Sequence, residues 1–150
     1  VLQNTLRTLI FTLIAPCMVG LVIPWLLGGN CQVTTLTTPL LTIGFLTYAW
    51  CAFDFIRRGN GTPDPGQPPT KLVVKGLYRY SRNPMYVGVL LMVLGVAGSC
   101  SSIVPLIYLV IVAVIVHLRV IWYEEPTLRR MFGAEYEAYL ERVPRWLWVL

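Results

Sequence analysis

Apolar residues form four long runs along the chain, separated by short polar turns and one long polar loop. The runs cover residues 6–27, 36–56, 85–98 and 103–122. A helix rises 1.5 Å per residue, so runs of about 20 residues cross the hydrocarbon core of a bilayer. The third run is short for a crossing unless the turn at 99–102 lies within the far interface. The pattern predicts an all-α integral membrane protein with about four transmembrane helices.

The long polar loop covers residues 57–84 and has two parts. Its first part, Arg57 to Thr70, contains four prolines and three glycines, which exclude regular structure. Residues 71–75 then return toward the membrane, and their apolar side chains are able to rest against it. Long irregular loops over a site often act as its lid or wall, so this loop is a candidate part of a binding site.

Residues 123–150 follow the fourth run as a C-terminal segment with a different pattern. Pro126 suits the first turn of a short helix, and Gly133 suits its end. Residues 134–142 then place apolar side chains at helical spacing, with glutamates and an arginine on the other faces. The apolar stripe consists of Tyr136, Tyr139, Leu140 and Val143. The pattern predicts an amphipathic helix that lies across the mouth of the bundle.

Composition supports the membrane prediction and assigns an orientation. Hydrophobic residues make up 56% of the 150 residues, only 13% are charged, and the mean hydropathy is +0.66. Apart from Arg7, all lysines and arginines fall within residues 57–82 or 119–145. Because basic residues favour the cytoplasmic side, both termini and the long loop are predicted to be cytoplasmic. The net charge of +5 then reflects topology, and no soluble basic face is left to bind nucleic acid.

The four cysteines do not form a metal-binding pattern, and no metal site is expected. Cys17 and Cys51 lie inside apolar runs and are interpreted as small core residues. Cys31 and Cys100 lie in the two uncharged turns on the far side of the membrane. A disulfide between these two requires an oxidising far side, and sequence spacing does not show whether they are close. Their pairing stays open.

The stretch richest in reactive side chains is GLYRYSRNPMYVG, from Gly76 to Gly88, at the entrance to the third run. Arginines and tyrosines are costly to keep where a chain enters a membrane, so they favour a functional interpretation. The predicted topology brings this stretch, residues 119–125 and the C-terminal segment to one membrane face. Arginines bind carboxylates or phosphates, tyrosines stack and hydrogen-bond, and Glu124 and Glu125 are able to hold a ribose diol or an ammonium group.

Several classes of reaction lack their residues in this sequence. There is no paired serine and histidine, no phosphate-binding glycine loop, no Cys-x-x-Cys pair and no metal triad. Methyl transfer from a sulfonium donor needs none of these, because the donor is already activated and the protein mainly aligns the reactants and excludes water. The residues alone leave a second interpretation open, in which the tyrosines and arginines form only an interfacial belt.

Several linked motifs in the second half of the chain resemble those of one enzyme superfamily. They are Gly76-Leu77-Tyr78, Arg82-Asn83-Pro84-Met85-Tyr86-Val87-Gly88, Glu124-Glu125-Pro126-Thr127-Leu128, Phe132-Gly133-Ala134-Glu135-Tyr136, Tyr139 and Val143-Pro144-Arg145. In this order and spacing they resemble the isoprenylcysteine carboxyl methyltransferase and phospholipid methyltransferase superfamily, whose members are integral-membrane enzymes. The first half of the chain resembles the superfamily only in having two spans.

The resemblance implies that S-adenosylmethionine binds in a cytoplasm-facing pocket roofed by the C-terminal segment and leaves as S-adenosylhomocysteine. It implies that an arginine near the acidic pair holds the acceptor's anionic group, and Arg119 is the nearest candidate. Where the acceptor is an amine, acid–base chemistry makes Glu124 or Glu125 the expected acceptor of its proton, so these three residues are the candidate catalytic residues. Asn83 stands where the eukaryotic enzymes have histidine, which weakens the case for a prenylcysteine acceptor. The cofactor-binding residues that the resemblance implies are Lys71, Leu72, Val73, Tyr78, Arg82, Asn83, Pro84, Met85, Tyr86 and Glu124.

The expected function is therefore S-adenosylmethionine-dependent methyl transfer to a lipophilic small molecule or lipid at the cytoplasmic membrane face. The acceptor stays open between a prenylcysteine-like carboxylate, a phospholipid amine and a small thiol. The lack of the extra spans of the eukaryotic enzymes favours a prokaryotic inner membrane. Two other classes stay open: a membrane sterol or enone reductase that uses NADPH, and a four-span transporter or scaffold with Asp54 as its acidic residue. The oligomeric state is not set by the sequence.

Overall fold

A computed structural model describes residues 14, 16–54, 57 and 71–147 of the chain. Residues of three predicted elements lie outside this description: 6–13 and 15 of the first span, 55, 56 and 58–70 around the loop, and 148–150 of the C-terminal segment. A 3₁₀ turn occupies Gly76–Arg79. The described helices are α1 (Met18–Gly28), α2 (Thr38–Asp54), α3 (Pro84–Ser99), α4 (Val104–Phe132) and α5 (Ala134–Arg142). The all-helical class predicted from the sequence is thus found in the described residues.

Helix α3 is the central helix of the bundle, because it packs against α1, α2 and α4. Helices α2 and α3 run antiparallel, so the start of α2 meets the end of α3, where Ser99 Oγ lies 2.9 Å from Thr37 Oγ1. The other end of α2 contacts the 3₁₀ turn that precedes α3. The entrance to α3 therefore lies at one end of the bundle, which we call the site end. The turns at 29–37 and 100–103 lie at the opposite, far end.

Helices α2 and α3 approach closely because two glycines face each other across their contact. A Cβ atom on Gly44 would lie 2.6 Å from the Gly88 carbonyl oxygen, and a Cβ atom on Gly88 would lie 2.7 Å from the Gly44 carbonyl oxygen. Small residues allow this approach of two backbones in a membrane bundle. The close contact buries Tyr48 and Cys51 of α2 against the site end of the bundle.

Helix α1 contains a π turn, Met18–Val22, whose hydrogen bonds reach five residues back. The N–H of Ile23 bonds the first carbonyl of the turn, and Pro24 has no N–H, so the carbonyl of Val19 lacks both of its usual helical donors. The hydroxyl of Tyr108 on α4 donates to this carbonyl at 3.0 Å. The bond satisfies a backbone group that is costly to leave unpaired in a membrane, and it fastens α1 to α4.

Helix α4 is the one helix of the described residues that is both long and apolar enough to cross a membrane. It has 29 residues, and only 17% of its most apolar stretch is buried, whereas the core helix of a soluble protein would be mostly buried. Helices α1 and α3 are apolar but shorter. The exposed face of α4 carries five apolar side chains that are each more than half exposed: Ile107, Val110, Ile111, Val114 and Ile115. Four spans remain a prediction.

Helix α4 also continues further than the sequence predicted. The prediction ended the fourth span at residue 122 and started a separate short helix at Pro126. The structure instead shows one helix that reaches Phe132, because a π turn at Val120–Glu124 accommodates the proline without breaking the helix. Gly133, with φ of +50°, ends α4 and lets the chain turn into α5.

The two turns of the far end are joined by a disulfide between Cys31 and Cys100, the pair that the sequence left open. Backbone bonds flank it: the N–H of Gln32 donates to the Ser99 carbonyl at 2.7 Å, and the N–H of Ser101 donates to the Asn30 carbonyl at 3.2 Å. The disulfide therefore ties the turn between α1 and α2 to the end of α3.

Candidate active site

The π turn in α4 places Arg119 and Glu124 on the same face of the helix. In an α-helix, residues five apart lie about 140° apart around the axis, since 3.6 residues complete a turn. Across Val120–Glu124, however, the N–H of Glu125 bonds the carbonyl five residues back, so residues five apart are stacked. The Nε atom of Arg119 consequently lies 3.0 Å from Oε1 of Glu124. Two residues predicted to be catalytic form an ion pair.

Glu124 is also joined to the entrance of α3. The hydroxyl of Tyr86 donates a hydrogen bond to the same Oε1 atom. The other oxygen, Oε2, makes no hydrogen bond within the described part of the chain, and the side chain is 25% exposed. The guanidinium of Arg119 further lies 5.6 Å from the ring centroid of Tyr123. Glu124 is thus held through one oxygen, and the second is available to a ligand or a proton.

Glu125 is held differently, in a buried ion-pair cluster. Its side chain is only 8% exposed. Oε1 accepts hydrogen bonds from Arg82 Nη1 at 3.0 Å and from Arg145 Nε at 2.7 Å, and Oε2 accepts one from Arg145 Nη2 at 3.0 Å. The two bonds from Arg145 form the planar fork that suits a carboxylate. Both oxygens of Glu125 are therefore engaged.

The chain after α5 closes the site end of the bundle. Its residues 143–145, which we call the strap, pair with the turn that begins α3. The N–H of Arg82 donates to the Pro144 carbonyl at 2.9 Å. The side-chain amide of Asn83 donates to the Arg145 carbonyl, also at 2.9 Å. The resemblance assigned Asn83 to the cofactor. In the structure its side-chain N–H donates to the strap, and its Oδ1 atom takes no part in this bond.

The cluster around Glu125 holds two guanidinium groups against one carboxylate. The Nε atom of Arg82 is buried and has no hydrogen-bond partner among the described residues. A buried donor without a partner is costly. The hydrogen bonds to Glu125 raise the pKa of Arg145, and partial burial opposes this effect more weakly. Arg145 therefore stays charged over the physiological pH range.

Residues 71–75 connect the bundle to α5 through side chains on alternating sides. Val73 packs with Cys51 of α2, whereas Leu72 and Val74 pack against the apolar stripe of α5. This alternation is that of an extended segment. The stripe itself is formed as predicted, since Tyr136, Tyr139, Leu140 and Val143 share one apolar cluster. Helix α5 therefore lies against the segment and the end of α4.

The same segment borders a cavity of about 520 Å³. This volume is within the range of small-molecule sites in proteins. The lining residues are Lys71, Leu72, Val73, Val74, Lys75, Phe132 and Glu135. Three of the residues predicted to bind the cofactor thus line one cavity, together with an aromatic ring and a carboxylate from the junction of α4 and α5.

The Gly-x-Tyr motif is clamped between α2 and α5. Gly76 has a φ of +65°, and a Cβ atom there would collide with the carboxylate of Asp54, so both backbone and space require glycine. The carbonyl of Tyr78 accepts a hydrogen bond from the Tyr139 hydroxyl at 2.7 Å. Burial raises the pKa of both tyrosines, which therefore stay neutral at physiological pH. The backbone before Tyr78 is consequently held in place on two sides.

Pro84 and Met85 have packing roles at the entrance to α3. Pro84 is buried in the first turn of the helix, where its missing N–H has no cost. Met85 packs against the buried side chains of both apolar clusters on the α2 side of the bundle. These two residues, assigned to the cofactor by the resemblance, therefore orient the turn through apolar contacts.

Trp146, the residue that follows the strap, contacts His117, the single histidine of the chain. Trp146 Nε1 donates a hydrogen bond to His117 Nδ1 at 3.1 Å, and the two rings stack with their centroids 5.9 Å apart. Because Nδ1 accepts this bond, the proton of a neutral imidazole lies on Nε2. The contact joins the end of the chain to α4, and nothing in the sequence pattern indicated it.

The structure brings five predicted site residues together in two neighbouring groups: Tyr86 and Arg119 contact Glu124, and Arg82 contacts Glu125. Lys71, Leu72 and Val73 line the cavity, whose lining includes none of these five residues. The sequence did not predict that Arg145 pairs with Glu125, although the Val-Pro-Arg motif that contains Arg145 is part of the resemblance. It also missed the π turn in α4, for which Pro126 is the available signal.

The sequence model of the family described as phospholipid methyltransferase matches residues 33–135, more than two thirds of the chain. The matched region contains α2, α3 and α4, and with them both glutamates and the residues that contact Glu124. Curated proteins and solved structures give no significant match. The match confirms the resemblance drawn from the motifs, and the chain therefore belongs to the phospholipid methyltransferase family.

Proposed function

We propose that the chain transfers a methyl group from S-adenosylmethionine to a lipophilic acceptor, with a phospholipid amine as the preferred acceptor. One observation carries the proposal: Tyr86 from the entrance of α3 and Arg119 from α4 converge on a single oxygen of Glu124. A carboxylate with one oxygen held and one available suits a group that accepts a proton or binds a cation. Family membership supports the same class of reaction.

The residues around the cavity fit the parts of the cofactor. Phe132 offers a ring that stacks on adenine, and Glu135 offers a carboxylate to the ribose diol. Lys71 and Lys75 offer positive charge to the amino-acid carboxylate. When bound, S-adenosylmethionine supplies a methyl group that is already activated on a sulfonium. The protein's own task is then to align the acceptor and exclude water.

Within this proposal the two glutamates have different roles. Glu124 accepts the proton that an ammonium headgroup must lose before its nitrogen can bond to carbon. Arg119, whose side chain is 41% exposed, holds Glu124 and binds the lipid phosphate. Glu125 holds the arginines and the strap in place, because both of its oxygens are already engaged. A carboxylate acceptor would need no base, so the role of Glu124 distinguishes the two acceptor classes.

Binding of S-adenosylhomocysteine is the first test. We expect saturable binding by isothermal titration calorimetry to the purified chain in detergent, and no binding of NADPH. A folded chain that does not bind S-adenosylhomocysteine would overturn the proposal. Binding of NADPH alone would favour the reductase class, and proton-coupled flux that Asp54→Asn abolishes would favour a transporter.

The second test measures transfer of a labelled methyl group to phosphatidylethanolamine vesicles. Glu124→Gln should lower turnover by about 100-fold or more, the usual size of a general-base contribution, while it retains S-adenosylhomocysteine binding. Glu137→Gln is the matched control, because Glu137 pairs with Arg129 on the exposed surface of α5. Full turnover by Glu124→Gln, or transfer only to a prenylcysteine carboxylate, would contradict the amine as acceptor.

A further inference from the structure

Both π turns that lie wholly within the described residues precede a proline by the same distance. In α1 the turn is Met18–Val22 and the proline is Pro24, and in α4 the turn is Val120–Glu124 and the proline is Pro126. In each helix, the residue just before the proline donates its N–H to the first carbonyl of the turn, five residues back. The two helices thus show the same spacing between the π turn and the proline that follows it.

The chemistry of proline explains the relation. Proline has no N–H, and its ring clashes with the carbonyl four residues earlier in a regular helix. A π turn adds one residue just before that point and moves the carbonyl away, so the helix continues past the proline. Pro84 and Pro105 lie in the first turns of α3 and α4, where no earlier helical carbonyl opposes the ring, and neither has a π turn. A π turn therefore accompanies these prolines only where the proline lies inside a helix rather than in its first turn.

In α4 the added residue decides which side chain faces Arg119. In an unbroken α-helix the residue four positions after Arg119 is Tyr123, and Glu124 would point about 140° away from Arg119. With the π turn, Glu124 takes the stacked position and reaches both Arg119 and the Tyr86 hydroxyl. The next residue, Glu125, is then directed to Arg82 and the strap.

We propose that Pro126 is a positioning residue: by imposing the π turn, it sets Glu124 against Arg119 and Tyr86. The geometric part of this inference concerns the fold alone, and its consequence for turnover rests on the proposed function. In this mechanism Pro126 does not act through contact with Arg119 or Tyr86. It acts through the register of the helix that carries Glu124.

The geometric part is tested by cysteine cross-linking in the full chain, in a Cys17→Ser background. With Pro126 present, cysteines introduced at positions 119 and 124 should form a disulfide under mild oxidation much more readily than cysteines at 119 and 123. In Pro126→Ala the preference should reverse, because the regular α-helix stacks residues four apart. An unchanged preference in Pro126→Ala would overturn the inference, whether or not the chain proves to be a methyltransferase.

The functional part is tested by a loss and its rescue. Pro126→Ala should lower methyl-transfer turnover at least as much as Glu124→Gln, and it should also weaken S-adenosylhomocysteine binding, because the shifted register extends to Phe132 at the cavity. Removing Trp122 from Pro126→Ala deletes the added residue, so Glu124 becomes the fourth residue after Arg119 and the later part of α4 regains its register. Turnover by this variant should be at least tenfold higher than turnover by Pro126→Ala. Trp122 is 72% exposed, so its removal disturbs few contacts.

Pro24→Ala is the matched control, because it removes the proline of the other π turn, remote in sequence from Glu124. It should leave turnover unchanged. If Pro126→Ala lowers turnover but the deletion of Trp122 restores none of it, Pro126 serves stability alone and the inference fails. Absence of S-adenosylhomocysteine binding in the unmodified chain would instead reject the proposed function and leave the cross-linking result standing.

Discussion

Glu124 and Glu125 are neighbours in sequence, but their carboxylates have different surroundings. Successive helical residues point about 100° apart, so one side chain faces the entrance of α3 and the other faces the strap. Among the residues that the structure describes, nothing bonds Oε2 of Glu124, and a quarter of the Glu124 side chain is exposed. Both oxygens of Glu125 accept hydrogen bonds, which come from Arg82 and Arg145, and its side chain is only 8% exposed. The first is suited to chemistry and the second to holding the site together.

Removing the charge of Glu125 should therefore destabilise the protein. In Glu125→Gln the two guanidinium groups stay close without a counter-charge, and Arg82 is only 14% exposed. Breaking a buried pair by removing one partner costs about 3–5 kcal/mol, and we expect about 3 kcal/mol because Arg145 is one-third exposed. Thermal unfolding in detergent measures the change.

Glu137→Gln is the control for this comparison. It breaks an ion pair with Arg129 in which both side chains are about half exposed, and exposed pairs contribute about 0–1 kcal/mol. Equal and small losses of stability in the two variants would show that the Glu125 cluster is not structural. The interpretation of Glu125 as an anchor would then be wrong.

The sequence indicated residues of the candidate site but not their pairings. Motifs at the entrance of α3 and at the end of α4 identified Arg82, Tyr86 and Glu124, and residue type indicated what each could bind. The pairing of Glu125 with Arg145 depends on the turn at Gly133 and on the path of α5, which no local pattern describes. The same holds for the bond between Trp146 and His117.

Helices are the scale at which sequence and structure agree best. The predicted spans 36–56 and 85–98 correspond to Thr38–Asp54 and Pro84–Ser99, because polar turns and prolines mark the ends of apolar runs. The end of α4 was misplaced for a physical reason. A proline after two glutamates is typical of a helix start, and the same residues also fit a helix that passes a proline through a π turn.

The contact between α2 and α3 gives a prediction at this scale. Gly88→Ala should destabilise the bundle by about 1–3 kcal/mol, because the added methyl group would meet the Gly44 carbonyl oxygen, a backbone atom that cannot turn aside. Gly98→Ala, in the same helix, is the control. Its methyl group would lie 3.2 Å from a side-chain methyl of Thr37, and the helix gains from losing a glycine. Equal unfolding temperatures for the two variants would contradict the close contact.

The whole molecule has two chemically different ends. The site end holds the arginines, the glutamates and the strap, and the far end holds uncharged turns joined by a disulfide. Disulfides persist in oxidising compartments, whereas basic residues favour the cytoplasmic side of a membrane. The predicted orientation rests on the basic residues, and the disulfide at the far end is consistent with it. In that orientation the cofactor would reach the site from the cytoplasm.

The far end gives the last prediction, which concerns the disulfide as a constraint on the whole bundle. The bond joins residues 69 positions apart, and closing a loop of that length lowers the entropy of the unfolded chain by an amount equivalent to about 4 kcal/mol. Helices that persist in the unfolded state in detergent reduce this value, so about 4 kcal/mol is the upper limit for Cys31→Ser combined with Cys100→Ser. Cys17→Ser, which changes a free cysteine, should leave the unfolding temperature nearly unchanged. Maleimide labelling of the denatured chain should tag Cys17 and Cys51 before reduction and all four cysteines after it. Tagging of all four before reduction would show that the far end is not cross-linked, and the agreement between disulfide and orientation would then be lost.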